Sequence, residues 1–365
     1  KKGKGQETQP LNALVSGGRT TAATAVGGIR EVESTGGIGL ISSESDAPYD
    51  RPPLSKKLWK GEPLSKIWRK MKGKKAEILL GRVIKKIDPK QKRVVDDKGA
   101  VFTYKKLLLA TGGRPRLLPF GDDKIIYFRT LADYRRLRAL TKECRRFAVI
   151  GGGFIGSEIA AALAMTGKEV VMIFPGKSIG DRIFPRSLAQ FVSSFYQRKG
   201  VELLPGTRVS GLETRDNQTI LLTRGKREIV VDGVVAGVGI VPNVELVQSA
   251  RLEVEDGIVV DQFLCTSHPD IYAAGDVAAF YNLPLGKRMR VEHEDNANTM
   301  GRLAGRNMAG KSEPYHHLPS FYSDMFELGY EAVGELDARL ETFADWKRPN
   351  KEGGIYYRRN RRLRG

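Results

Sequence analysis

Short apolar runs that end in small residues recur along the chain, and each reads as a strand passing into a tight turn. Leu11–Ser16 is the first and residues 38–42 the second. Residues 107–109 lead into Ala110, Thr111, Gly112 and Gly113, residues 147–150 lead into a glycine cluster, and residues 271–277 (IYAAGDV) end on Gly275 and Asp276. Unbroken apolar runs of this length suit strands buried on both faces, as in a parallel sheet. Helices are predicted over residues 131–140, 157–165 and 296–308. Residues 201–231 read as short strands and turns, residues 237–243 (GVGIVPN) as a return segment and residues 257–261 as a further strand. Strand and helix alternate, which predicts an α/β chain. From Lys311 the composition changes, and residues 321–336 alternate as strands do. The expected organisation is one domain in two parts, 1–127 and 243–310, a second inserted at 128–242, and a smaller C-terminal α+β unit at 311–365. Gly365 follows a strand or hairpin without the covering element expected of a closed unit, which reads as truncation.

The glycine cluster carries the clearest mechanism. Gly151, Gly153 and Gly156 stand at G-x-G-x-x-G spacing between an apolar strand and a small-residue helix. The first glycine permits the turn, the second lets a pyrophosphate approach the backbone, and the third lets the helix pack close to the strand. The helix N-terminus then offers unsatisfied N–H groups to the phosphates. A Gly-rich turn of an ordinary βαβ unit is the bland alternative. A second, imperfect fingerprint follows Leu11–Ser16. Gly17 holds the first glycine position and Ala22 the third, beside Gly18, but Arg19 stands where the second glycine belongs. Its side chain either turns outward or lies along the phosphates. Glu44 is placed to accept from ribose hydroxyls or to be a surface glutamate.

Other segments add candidate groups. Paired prolines in residues 48–56 (PYDRPPLSK) hold Arg51 and Lys56 on a stiff segment. The strand ending at residue 173 runs into Phe174, Pro175, Gly176 and Lys177, with no acid where an NAD ribose would find one, while Lys177 and Arg182 suit a 2′-phosphate. Asp276 is either a capping residue or an acceptor for a polyol hydroxyl. His293, one of 4 histidines, lacks the clustered partners a metal site needs, so no metal is expected.

Charge and composition narrow the classes. The formal net charge is +19 over 365 residues, concentrated in residues 66–93 and in the C-terminal YYRRNRRLRG. A solvated face, an acidic protein partner such as a small electron carrier, and nucleic acid all suit such runs. No apolar run approaches the roughly 20 residues of a membrane span, and the basic leader KKGKGQETQP, read as mobile, has no apolar signal core. The cytoplasm is the expected compartment, with a processed mitochondrial protein as the alternative, as monomer or homodimer. The 2 cysteines, Cys144 and Cys265, form no C-x-x-C, which removes a redox dithiol of the usual spacing and leaves them as small buried apolar residues.

Two fingerprints, the ATGG crossover between them and a late AAGD together resemble the two-dinucleotide-domain flavoprotein reductases, a glutathione-reductase-like fold with two Rossmann-like domains. PYDRPPLSK, GGGFIGSE, VEHE and FYSDMFELGYEAVG are similar to one branch, that of apoptosis-inducing factor and the ferredoxin or rubredoxin reductase-like proteins. The resemblance runs over nearly the whole chain from Leu11. It implies a FAD-dependent NAD(P)H oxidoreductase that passes hydride from nicotinamide to flavin and electrons on to a ferredoxin- or rubredoxin-like protein or a quinone. The alternative it carries is a DNA-binding or signalling protein with weak or lost reductase activity.

The resemblance also implies roles. Gly17, Gly18 and Ala22 hold the FAD pyrophosphate, Glu44 serves its ribose, and Arg51 and Lys56 lie near the flavin. Ala110, Thr111 and Gly112 line the cofactor, Asp276 meets the ribityl-phosphate region, and His293 with Glu292 and Glu294 borders the flavin. Glu158 pairs with Lys56 close to flavin N5, and these two are the expected catalytic pair. Phe154 covers the isoalloxazine, Tyr322 stands near the nicotinamide, and Gly151, Gly153, Ile155, Gly156, Lys177 and Gly239 complete the second nucleotide site. Departures from the pattern are Arg19 for a glycine, Ser43 for the ribose acid, and Gly176 for the acid of the second nucleotide.

Overall fold

The computed structural model describes residues 11–216 and 218–365; the leader KKGKGQETQP lies outside the described residues. The chain divides into two compact units. The first takes the described part of Lys1–Arg51 with Leu64–Arg114 and Val241–Ser320, and the second takes Pro52–Pro63, Pro115–Ile240 and Phe321–Gly365.

In the first unit, β1 (Leu11–Ser16) is followed by α1 (Thr20–Val32), β2 (Ile38–Ile41), β3 (Ala76–Leu79), β4 (Ile84–Asp88), β5 (Arg93–Asp96) and β6 (Val101–Leu109). The sheet runs β3-β2-β1-β6, all parallel, and the late strand Ile271–Ala273 adds in parallel to β6. The chain leaves β1 toward β2 and β3, then returns on β1's other edge as β6. That reversal opens a crevice at the carboxyl ends of β1 and β6, where such sheets bind ligands. Leu14, Val15, Leu40, Leu107, Leu108, Leu109 and Ile271 are fully or almost fully buried, as strands covered on both faces require.

One helix pair closes this unit's core. α1 lies against the helix Glu294–Met308, and glycines set the approach. A Cβ at Gly28 would sit 2.9 Å from the Arg302 carbonyl carbon, and one at Gly305 would sit 2.9 Å from that of Ala25. The two backbones therefore touch, with no side chain between them.

The second unit carries a five-stranded parallel sheet in the order Val201–Leu204, Glu169–Ile173, Arg146–Ile150, Gly233–Ala236, Ile125–Tyr127. Its helices include α2 (Leu131–Glu143), opened by a Thr130–Asp133 capping box, and α3 (Phe154–Met165). The order reverses at Arg146–Ile150, so this unit has its own crevice beside the glycine turn. Val209–Arg215, Gln218–Thr223 and Glu228–Val231 form an antiparallel sheet. The C-terminal part is built of strands, Ser320–Met325, Leu328–Val333, Glu341–Arg348, Glu352–Arg359 and Arg362–Leu363, and no helix lies among residues 311–365, where an α+β unit is expected. Period-two alternation over 321–336 leaves no helical stripe there.

Element ends differ from the sequence reading by up to about a turn. α3 begins at Phe154, because the second fingerprint glycine is its N-cap, and the last helix begins at Glu294 with His293 as its N-cap. α2 runs on to Glu143, and the strands expected over 38–42 and 257–261 stop at Ile41 and Val259. Cys144 and Cys265 are free and half-buried, not fully buried: Cys144 caps the C-terminus of α2, and Cys265 forms an isolated antiparallel bridge with Tyr272. Burial pushes both thiols up, away from the reactive thiolate. No helix among the described residues is long and apolar enough to cross a membrane.

Gly305→Ala weighs two effects against each other. Alanine favours a helix by about 1 kcal/mol, whereas overpacking a close contact costs about 1–3 kcal/mol. Because the new methyl meets backbone, the loss should dominate and the urea midpoint should fall. An unchanged or higher midpoint would show that the two helices part without cost.

Candidate functional site

The glycine turn of the second unit separates what the fold needs from what it does not. Gly151 has φ +119°, and a Cβ there would lie 3.0 Å from the Gly237 carbonyl carbon. A Cβ at Gly156 would lie 2.9 Å from the Gly151 carbonyl carbon and closer still to its oxygen. Both glycines are demanded by packing. Gly153 is not: its φ of −88° suits any residue, and its missing Cβ faces open space. As an N-cap it ranks below Ser, Asp or Asn and brings no side-chain acceptor, and no side chain caps α3. The first-turn N–H groups of α3 are thus left for an anion, beside a position kept clear of side chain. These residues fit a dinucleotide pyrophosphate.

In the first unit Gly17 has φ +146°, and its missing Cβ would meet the Ala110 backbone. Gly18 packs against Ser42, and Ala22 is buried within α1. α1 also lacks a side-chain cap; its N-cap is Arg19, whose φ of −118° carries no strain. An arginine there costs space, not backbone energy. The guanidinium turns to Glu44, whose second carboxylate oxygen accepts from Tyr49 Oη at 2.6 Å. Burial works against the Arg19 charge, but Glu44, Tyr49 and Asp276 hold its pKa above the ordinary arginine value. Both Glu44 oxygens are therefore engaged within the protein.

Beside α1, Gly275 packs on Thr21 and sets the buried Asp276 near the helix start. Arg51 Nη2 lies 3.2 Å from Asp276 Oδ2. Ala110 N donates to Ser16 O at 2.8 Å. Thr111 Oγ1 donates to Asn243 O at 3.1 Å, Asn243 Nδ2 returns a bond to Thr111 O at 2.8 Å, and Asn243 N donates to Gly112 O at 3.0 Å. Glu292 pairs with Arg290 at 2.7 Å, and Arg290 also donates to Asp276 O at 3.1 Å. Two arginines, two carboxylates, a glycine turn and an uncapped helix start converge here, which fits FAD with one departure, Arg19.

The second unit holds a buried ion pair. Lys56 Nζ lies 2.9 Å from Glu158 Oε1, with side chains 8% and 3% exposed. Ser323 Oγ donates to the same oxygen and Ser55 Oγ to Oε2, each at 2.6 Å. Three donors thus satisfy the carboxylate, which offsets the cost of taking charge out of water. Tyr322 lies with its ring centroid 5.1 Å from Lys56 Nζ. Phe154 meets Phe321 edge-on at 5.7 Å and lies 6.4 Å from Tyr330, whose hydroxyl is buried with no hydrogen-bond partner among the described residues. Burial first, and then the Glu158 charge, push that hydroxyl far above the usual tyrosine range.

Within the first unit the structure thus gathers Gly17, Gly18, Ala22, Glu44, Arg51, Ala110, Thr111, Gly112, Asp276 and Glu292 around the carboxyl ends of β1 and β6. His293 stands at the start of the helix Glu294–Met308, next to Glu292. Within the second unit, Gly151, Gly153, Phe154, Ile155, Gly156 and Glu158 stand in one turn and helix start, with Lys56 and Tyr322 brought in from distant segments. Gly239 lies just beyond the strand Gly233–Ala236 and accepts from Arg116 N at 2.9 Å. Lys177 is exposed, and its backbone N donates to Asp181 Oδ2 at 2.8 Å. Sequence reasoning missed Ser55, Ser323, Asn243 and Tyr49. Ser55 and Tyr49 belong to the PYDRPPLSK segment and Asn243 ends GVGIVPN, but nothing local marked them as partners.

A protein with a nucleotide crevice in each of two parallel-sheet units and a buried lysine–glutamate pair is of the two-nucleotide oxidoreductase class. A family model described as pyridine nucleotide-disulphide oxidoreductase matches residues 16–301, and one described as apoptosis-inducing factor, mitochondrion-associated, C-term matches residues 304–359. The chain belongs to the pyridine nucleotide-disulphide oxidoreductase family, in the branch shared by apoptosis-inducing factor and the ferredoxin reductases, and is an FAD-dependent NAD(P)H oxidoreductase. It is 34% identical to apoptosis-inducing factor 1, mitochondrial, of Dictyostelium discoideum, over 96% of this chain and 74% of that protein. It is also 34% identical to the 5,5'-dehydrodivanillate O-demethylase ferredoxin reductase subunit of a Sphingobium species, over 89% of this chain and 81% of that one. The reductase of a covalent putidaredoxin reductase–putidaredoxin complex superposes with a TM-score of 0.92 at 27% identity, covering 98% of this chain and 89% of that chain.

Removing one partner of a buried ion pair leaves the other charge stranded, at a cost of about 3–5 kcal/mol. Glu158→Gln should lower stability on that scale in urea unfolding. The double variant Glu158→Gln/Lys56→Met should recover most of the loss, since no buried charge then remains. A small single-variant effect would mean that Lys56 is hydrated in the folded protein.

Proposed function

We propose that the chain hands its electrons to a small acidic electron-carrier protein, with Lys56 and Glu158 as the catalytic pair and the two glycine turns as the nucleotide cradles. The observation that carries the reading is the combination of two free, unactivated cysteines with a net charge of +19. Electrons have no internal dithiol to reach, so an outside acceptor takes them, and a basic surface steers an acidic one into contact. The two relatives described by ferredoxin or putidaredoxin partners point the same way.

When bound, FAD would supply the redox chemistry, as hydride acceptor for NAD(P)H and electron donor to the carrier. The protein's own part is binding, orientation and charge. In this reading the α1 start with Gly17, Gly18 and Ala22 holds the FAD pyrophosphate, Arg51 and Asp276 fix the neighbouring phosphate and polyol, and Thr111 and Gly112 line the site. Gly153 and the α3 start hold the NAD(P)H pyrophosphate. Lys56, fixed by Glu158, is a positioned ammonium that stabilises negative charge developing on the cofactor, and Ser55 and Ser323 keep Glu158 oriented. Phe154 and Tyr322 supply aromatic cover that excludes water.

A second reading, nucleic-acid binding, rests on the C-terminal strands. There Phe343 and Tyr356 are 58% and 45% exposed, beside Arg358, Arg359, Arg361 and Arg362. Anaerobic addition of NADH or NADPH to the purified protein tests the first reading: a flavin band should bleach and recover when an acidic ferredoxin is added, with a rate that falls as salt rises. A bleached band that no ferredoxin restores, together with salt-dependent DNA binding, would favour the second.

Arg19→Gly should tighten FAD binding by about 10-fold, or 1.4 kcal/mol, because it frees Glu44 and clears the turn; titration of the apoprotein with FAD, followed by flavin fluorescence, measures it. A looser complex would instead assign Arg19 to the phosphates.

A further inference from the structure

The second nucleotide site lacks an acid at the end of its second strand, and the structure puts one there from elsewhere. In dinucleotide-binding units an Asp or Glu about 20 residues past the glycine turn accepts the hydrogen bonds of a free ribose 2′-hydroxyl, whereas a basic residue accommodates a 2′-phosphate. Here that position is Gly176, just past the strand Glu169–Ile173, with Lys177 following. Read along the chain, it has lost its acid and gained a cation.

The fold reverses that reading. The space into which a side chain at 176 would grow is filled by the Asp181 carboxylate: a Cβ on Gly176 would lie 2.9 Å from Asp181 Cγ and 2.9 Å from Oδ1, and closer still to Oδ2. The carboxylate is anchored by the Lys177 backbone N–H at 2.8 Å. Its loop is held on all sides. Gly180 N donates to Gly152 O of the fingerprint turn at 3.0 Å, Ile179 N donates to Ser193 Oγ at 2.9 Å, Ala338 N donates to Arg182 O at 2.9 Å, and Tyr357 Oη donates to Ile183 O at 2.6 Å. Asp181 therefore stands one residue from a direct hydrogen bond to the phosphate-binding turn, and Gly176 is glycine because Asp181 fills the space. Lys177 and Arg182 have exposed side chains.

We propose that Asp181 is the specificity-determining residue of this site, standing in for the missing acid at 176 and selecting the dinucleotide with a free ribose 2′-hydroxyl, NADH, over its 2′-phosphorylated counterpart. The inference rests on the reading of the second glycine turn as a dinucleotide cradle. A carboxylate held there accepts from the ribose diol and repels a 2′-phosphate.

Calorimetric titration of the FAD-loaded protein with NAD⁺ and with NADP⁺ tests it. The unsubstituted protein should bind NAD⁺ more tightly by about 10-fold to 100-fold, the range expected for a hydrogen bond to a charged group. Asp181→Asn keeps the shape and the acceptor for Lys177 N but loses the charge. It should weaken NAD⁺ about 10-fold and strengthen NADP⁺, with the FAD content unchanged. In the double variant Asp181→Ala/Gly176→Glu the acid returns to 176 with the space cleared for it, and NAD⁺ preference should return. A preference for NADP⁺ in the unsubstituted protein, or a ratio that Asp181→Asn does not move, overturns the assignment of Asp181 while the cradle stands. If neither nucleotide binds to the folded, flavin-loaded protein, the cradle reading itself falls, and this inference with it.

Discussion

Everything at the second nucleotide crevice depends on backbone touching backbone where strand becomes helix. α3 can start where it does only because Gly156 lets it rest on the Gly151 carbonyl, and Gly151 in turn rests on Gly237. That contact aims the helix start, with its unsatisfied N–H groups, into the crevice left by the reversal of strand order. The first unit obtains the same result with Gly17 against Ala110 and Gly18 against Ser42. Its helix α1 is then clamped from the other side by Gly28, Gly301 and Gly305. Any of these methyl-sized gaps, once filled, would move a helix start relative to the strands. Gly153 is different: the packing does not require it, since a side chain there would meet open space.

The Lys56–Glu158 pair follows a different physical rule. Burying two charges is unfavourable unless geometry and extra hydrogen bonds compensate, and here Ser55, Ser323 and Lys56 share the two oxygens of one carboxylate. Such an arrangement gives an ammonium of fixed position in a largely dry setting, where a charge acts more strongly on its neighbours than in water. The rigidity comes from the satisfied carboxylate. Aromatic rings at Phe154, Phe321, Tyr322 and Tyr330 keep the surroundings apolar, and the high pKa of Tyr330 reflects that same poorly solvated setting.

Two departures from the family's pattern turn out to be local exchanges of charge. Arg19, in a glycine position, is neutralised by Glu44 and sits on unstrained backbone, so the turn keeps its shape. Gly176, in an acid's position, makes room for an acid supplied by the next loop. The first cancels a carboxylate with an added cation; the second, on the assignment proposed for Asp181, moves a carboxylate from one residue to a near neighbour. In each, a turn of about five residues or a strand-end loop brings together groups that a linear motif counts as separate.

How much of this was legible beforehand depended on whether the information was local. The strand–glycine–helix turns, the parallel α/β character and the family resemblance follow from residues adjacent in sequence, because the conformational freedom of glycine and the burial of an apolar run are properties of a few neighbouring positions. The extra turn of α3 was not, since whether Phe154 is helical depends on the N-cap role of Gly153. The partners of Glu158 lie 103 and 165 residues away, and only the tertiary fold pairs them. Asp181 shows the limit most plainly. Along the chain it is a carboxylate past a lysine in a loop, and only the folding of that loop onto the glycine turn puts its charge where residue 176 would have carried one. Sequence determined the two glycine turns, because they are built from consecutive backbone; tertiary structure decided which charged side chains lie beside them, because side chains meet across space and not along the chain.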